Sequence, residues 1–240
     1  MSVLRLTRCG AMLALPILVS SCLGQNPAEP QGTPIVNNPL PVNWLYGAFV
    51  PKDAPLEPLT GEQRFKLYLR QTYTTPGIYI KTGFFVLHDQ VNNTQPEWGD
   101  GASGFAKRLG TLYAQNVIQN SLTSLGNAAV KLEPRYDRCR CVGAWPRIRH
   151  ATIRNFITYG GSDDKALRPQ IPSYAAAFGA GVTIASWEPN TSSVLIKGYQ
   201  SAATQAWVGV VSNLLAEFAP DVKRMLRKNK ADANAKSPPN

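Results

Sequence analysis

SVLIKGYQSAATQAWVGVVSNLLAEF, residues 193–218, carries the most regular periodicity in the chain. Tyr199, Ala202, Ala203, Ala206, Trp207, Val210, Leu214 and Phe218 recur every three or four residues, the spacing that places side chains on one face of an α-helix. Pro220 is expected to end that helix, because proline removes a backbone donor and clashes with the preceding turn. Val222, Met225 and Leu226 then start a short basic continuation holding Lys223, Arg224, Arg227, Lys228 and Lys230. From Lys228 to Asn240 the Lys, Asn, Ala, Ser and Pro composition predicts a disordered tail.

Upstream lies a partner for this helix. Pro172 opens the small-residue segment Ser173 to Trp187, in which Ala177, Gly181 and Ala185 stand four apart, as do Gly198, Ala202 and Ala206. Small residues at that spacing let two helix backbones approach closely, in a membrane hairpin or in a soluble core. Ile171 to Trp187 is uncharged but short, and its partner holds Lys197, Gln200, Gln205 and Asn213, so soluble packing is expected.

Working back further, Thr60 with Gln63 has the capping-box arrangement of a helix start, and Phe65, Tyr68, Leu69 and Tyr73 follow at helical spacing. Pro76-Gly77 interrupts. Ile78 to Val91 reads as a second apolar helix with strand ambiguity, Asn92 to Gly104 is turn-rich, and Phe105 to Gly126 predicts a third helix. An arginine-rich connection covers Pro134 to Arg154, and Ile153, Phe156 and Ile157 suggest a short helix ended by Gly160-Gly161. The sum is a mainly α fold, one domain of about six helices over 60–227. Ahead of it, 22–59 reads as a proline-rich tether, with Trp44 to Val50 apolar enough to lie against the domain.

The N-terminus reads as a bacterial export signal over 1–21. Arg5 and Arg8 precede the uncharged apolar run Ala11 to Val19, and small residues follow at Ser20 and Ser21. The run falls short of the roughly 20 residues of a membrane span. Val19-Ser20-Ser21-Cys22 resembles the lipobox of bacterial lipoproteins, which makes Cys22 the candidate lipid-attachment residue. The rival is ordinary cleavage after Gly24. A thiol where the acylation chemistry needs one favours the lipobox, and Leu23 carries no inner-membrane retention signal. These features predict a cell-envelope lipoprotein, anchored in the outer membrane and facing the periplasm, with a soluble periplasmic protein as the alternative.

The formal charge is +10, and removal of the signal with Arg5 and Arg8 leaves +8. An exported cation should meet anionic lipid headgroups, lipopolysaccharide phosphates or acidic wall polymers. Nucleic acid is the usual partner for such a charge, and the compartment argues against it. Of the four cysteines, Cys9 lies in the signal and Cys22 is the candidate anchor. Cys139 and Cys141 are separated by one residue, a spacing at which mutual bridging is not expected and no second pair completes a metal site.

Tools for catalysis are scarce. His88 and His150 are the only histidines, and no catalytic, cofactor or phosphate-loop motif is present. Glu97 with Asp100 or Asp89 offers a carboxylate pair for an exported cell-wall glycosidase, although Glu97-Trp98-Gly99-Asp100-Gly101 is equally a turn with Trp98 packed inward. The more physical lead is Arg135, Arg138, Arg140, Arg147, Arg149 and Arg154, whose guanidinium groups suit phosphate. The expected function is therefore a non-enzymatic binding or structural module.

Several stretches together resemble a group of exported bacterial proteins of uncharacterised activity. They are Leu59-Thr60-Gly61-Glu62-Gln63-Arg64-Phe65, Thr75-Pro76-Gly77, Pro96-Glu97-Trp98-Gly99, Phe105 to Gly110, Pro134-Arg135-Tyr136 and Phe218-Ala219-Pro220-Asp221. The resemblance implies export and a shared helical domain, and it carries over no catalytic residue. Arg138-Cys139-Arg140-Cys141 departs from the group's pattern at that point.

Overall fold

The structure, a computed structural model, describes residues 40–160, 166–189 and 193–236. The export signal over 1–21, Cys22, Gly24, the tether up to residue 39, Gly161 and the final residues 237–240 lie outside the described residues. The described chain is a mainly α domain of six α-helices with two small sheets.

The capping box forms as the sequence predicts. Thr60 Oγ1 accepts from Gln63 N at 3.3 Å, and Gln63 Oε1 accepts from Thr60 N at 3.0 Å, opening α1 (Gly61–Leu69). A π-helical turn, Arg70–Thr74, leads to α2 (Pro76–Val91), which starts on proline where the missing donor costs nothing. The segment open to a strand reading is thus a helix. Helix α3 (Ala102–Ala129) is long and lies beside α2, α5 and α1.

The small-residue expectation also holds. Helices α5 (Ile171–Ile184) and α6 (Val194–Lys236) pack so closely that a Cβ on Gly181 would lie 2.6 Å from Lys197 O. On Gly198 it would lie 2.6 Å from the Phe178 ring. Among the described residues no helix is long and apolar enough to cross a membrane.

Four expectations need correction. Helix α6 does not stop at Pro220 but runs through it to Lys236, into the stretch read as a tail. Arg147 explains the continuity, because it bonds residues on both sides of the proline: Glu217 Oε2 at 3.3 Å, the Glu217 carbonyl, and Asp221 Oδ2 at 2.6 Å. Second, the tether is shorter than predicted. Strands β1 (Val42–Asn43) and β2 (Gly47–Val50) pair antiparallel, and β2 runs parallel to β3 (Tyr136–Asp137). Ala48 and Leu59 join Leu67 in a buried cluster, so the chain from Leu40 belongs to the domain.

Third, much of the arginine-rich connection is helix α4 (Ala144–Phe156), and Ile157 belongs to β4 (Ile157–Tyr159), which pairs antiparallel with β5 (Leu167–Pro169). Fourth, Cys139 and Cys141 are joined in a disulfide, their Cα atoms 5.2 Å apart, within the usual bridging range.

Beside an apolar core that includes Val50, Leu67, Val86, Leu132 and Ile184, the interior holds many polar side chains. Thr72, Thr82, Arg108, Asn127, Glu133 and Glu217 are all buried to 2 % exposure or less. Helix contacts are made by polar pairs: Gln115 to Ser201 at 2.8 Å, Gln119 to Gln205 at 2.6 Å, Asn116 to Thr82 at 2.9 Å. Meanwhile Ile80, Phe84, Leu87 and Val91, one helical stripe of α2, are each more than half exposed. The stripe Leu195, Tyr199, Trp207, Val211, Leu215, Val222 and Leu226 on α6 is exposed as well. Phe85 and Trp207 meet edge to face at 5.9 Å, bringing α2 and α6 together at the outside.

Candidate functional site

The inward polar faces converge on a cavity of about 300 Å³ to which helices α1 to α6 and the strands beside them contribute. Lys81 enters it from α2, Asn127 from α3, Arg154 from α4, Ser173 from α5 and Ser212 from α6. The β1–β2 turn and the segment Glu133–Asp137 close another side.

Among the described residues, two of the three cations lining this space, Lys81 and Arg154, have no carboxylate in hydrogen-bond contact. Arg154, 9 % exposed, lies flat on Tyr159, its Cζ 4.0 Å from the ring centroid. Its Nε and Nη1 have no hydrogen-bond partner, and burial lowers its pKa despite nearby acidic groups. Lys81 is half-buried, and desolvation brings its pKa down to about 8. Thr72 Oγ1 and Asn127 Oδ1, both buried, also lack partners. Of the two carboxylates in the wall, Glu133 is held by Arg135 through Nε at 2.7 Å and Nη2 at 3.1 Å. Burial raises the pKa of the other, Asp137, against the opposing pull of Arg154, His150 and Arg140.

The six arginines singled out as anion ligands divide sharply. Arg135 is buried on Glu133 and the Glu57 carbonyl. Arg138 donates to Tyr46 Oη at 2.6 Å and covers the Phe49 ring at 4.1 Å. Arg147 straps α6 and lies 4.3 Å over Phe218. Arg154 faces the cavity. Only Arg140 and Arg149 are exposed, and Arg140 touches the Ala54 carbonyl at 3.2 Å. The stretch is therefore mostly internal scaffold, because a guanidinium can satisfy carbonyls, carboxylates and rings at once.

Glu97, Asp100 and Asp89 do not line the cavity. Glu97 stands exposed in a 3₁₀ turn, Pro96–Trp98, and Trp98 is only half-buried. Sequence reasoning missed what builds this turn. Arg108, fully buried, donates to Gln90 Oε1, Gly99 O, Asn93 Oδ1 and Gln95 O at 2.8–3.1 Å. Lys81 was missed too, since a lone lysine between Ile80 and Thr82 carries no motif.

Compared with protein-family models, curated proteins and solved structures, the chain matches none.

Proposed function

We propose that this chain is an exported cell-envelope lipoprotein, anchored through Cys22 in the outer membrane and facing the periplasm. Its helical domain rests on anionic lipid as a non-enzymatic binding or structural module. The observation that carries the reading is the end of α6. Beyond Pro220, Val222, Met225 and Leu226 form one exposed apolar strip, with Lys223, Arg224, Arg227 and Lys228 exposed around it. That combination is the pattern of a helix lying in a membrane interface. The exposed stripe continues back along α6 to Trp207, whose ring meets Phe85 of α2.

Each basic residue near an anionic surface contributes about 1 kcal/mol, so the four supply about 4 kcal/mol before any apolar insertion. Arg149 and Arg140 are the exposed members of the arginine-rich set and remain available for lipid phosphates. Charge complementarity selects an anionic bilayer over a second copy of the chain, whose patch would carry the same sign.

The test has two parts. Intact mass of the mature protein from membranes should show acyl mass on Cys22, lost in Cys22→Ala. The unacylated Cys22→Ala chain should sediment with phosphatidylglycerol vesicles more than with phosphatidylcholine vesicles. High salt and the double change Met225→Asp, Leu226→Asp should each weaken that association. Equal, salt-insensitive association with both vesicles would refute the lipid reading. A stable dimer that binds neither would assign the apolar face to self-association.

A further inference from the structure

We infer that the central cavity is a binding site for a small hydroxylated anion, a sugar acid or a sugar phosphate, taken up between Lys81, Arg154 and Asn127. The inference is independent of the lipid-surface reading, because the cavity is walled by the inward faces of the helices and that reading concerns their outward faces.

The chemistry follows from what the cavity leaves unmet. Buried donors and acceptors normally find partners, and each that does not is costly. Four such atoms cluster here: Arg154 Nε, Arg154 Nη1, Asn127 Oδ1 and Thr72 Oγ1. Arg154 is more than nine-tenths buried, Asn127 and Thr72 almost completely so. Tyr159 occupies the face of the guanidinium, which leaves its in-plane N–H groups as the directions free for a ligand. Lys81 adds a second positive charge to the same space.

Water could satisfy a hydroxyl or an amide, but it brings no charge to a buried guanidinium and a half-buried ammonium. The wall cannot supply enough. Glu133 is committed to Arg135 by two hydrogen bonds, which leaves Asp137 as the remaining carboxylate. With Arg135 and Glu133 paired, two cations in the wall, Lys81 and Arg154, face one uncommitted carboxyl group, and an entering carboxylate or phosphate balances the excess. Asn127 Oδ1 is an acceptor and asks for a ligand donor, which a hydroxyl beside the acidic group provides. At about 300 Å³ the space sits at the small end of ligand pockets, suited to a single sugar ring rather than a lipid or a polymer.

The mature full-length protein should be titrated calorimetrically with galacturonate, glucose 6-phosphate, inorganic phosphate and glucose. Galacturonate or glucose 6-phosphate should bind at one site, and whichever binds identifies a carboxylate or a phosphate as the acidic group. Glucose should bind at least tenfold more weakly. Lys81→Met should weaken the anion at least tenfold while melting no lower than wild type, which separates lost binding from lost folding. Arg154→Gln should do the same wherever it folds.

Three results would overturn the assignment. One is that neither anion binds, or that glucose binds as tightly. Another is unchanged affinity in Lys81→Met. The third is inorganic phosphate binding as tightly as glucose 6-phosphate, which would remove the hydroxyl requirement.

Discussion

Replacing Lys81 with methionine should make the protein more stable at neutral pH, and the size of the gain can be worked from the cavity. Burial lowers the ammonium pKa from 10.5 to about 8. At about 1.4 kcal/mol per pH unit, that corresponds to about 3 kcal/mol by which the folded state disfavours the charged lysine. Lys81 is partly accessible from the cavity, so water there screens some of this penalty, and about 2 kcal/mol is the expected effect. Methionine keeps the length of the stem, removes the charge and should recover that amount.

The sign of the pH dependence follows from the same shift. Because the folded-state pKa lies below the unfolded one, the penalty is fully present below pH 8. It is relieved as pH rises from about 8 toward 10.5, where the unfolded chain holds the proton and the folded chain does not. Wild-type stability should therefore climb over this interval, and Lys81→Met should flatten the climb. The cavity's Tyr136 has its phenol pKa raised by burial and by Glu217, and burial pushes that of Tyr174 to about 12. These groups contribute stability that is lost only as pH rises past about 10, so the profile should be read from pH 7 to 9.5. Urea unfolding followed by tryptophan fluorescence gives both quantities. A Lys81→Met protein less stable than wild type at pH 7, or a flat wild-type profile, would refute the argument and indicate a counter-charge on Lys81.

Arg108→Met should cost about 4 kcal/mol in urea unfolding, since it strands two carbonyls and two side-chain oxygens that now accept from one guanidinium. Arg147→Met should cost about 3 kcal/mol, because the Glu217 carboxylate, fully buried, keeps only Tyr136 Oη and Cys139 N as partners. Helicity beyond Pro220, read by amide exchange, should fall with it. Gly209→Ala should destabilise by about 2 kcal/mol, as a methyl there meets the Asn155 amide. Gly110→Ala faces open space on α3 and should instead stabilise by about 0.5–1 kcal/mol, and both are checked by thermal melts.

What the sequence showed well was local. Thr60 and Gln63 announce α1 because a capping box acts within four residues. Gly181 and Gly198 announce the α5–α6 contact because close approach tolerates no side chain at those points. What it hid depends on partners distant in the chain. Pro220 reads as a stop until Arg147, far away in sequence, is found bonded on both sides of it. Val42 to Val50 reads as tether until β3 offers a strand to pair with. Among the arginines, position in the list says nothing about fate: Arg147 and Arg149 are two residues apart on α4, so one meets α6 and the other points to solvent.

The deeper loss is direction. The α6 periodicity correctly marks a helix, but its stripe does not define the inside, for Tyr199 and Trp207 in it are exposed. The face turned inward carries Gly198, Ser201, Gln205, Gly209, Ser212 and Asn213, which sit against other helices or line the cavity. Periodicity reports that two faces differ, and burial is assigned by assuming that the apolar one faces the core. A helix whose cavity-facing side is largely polar, with Tyr199 and Trp207 left exposed, breaks that assumption. The two proposals thus draw on opposite faces of the same helices. Apolar residues on the outward faces are the ones offered to a lipid surface. The polar residues turned inward line the proposed anion site.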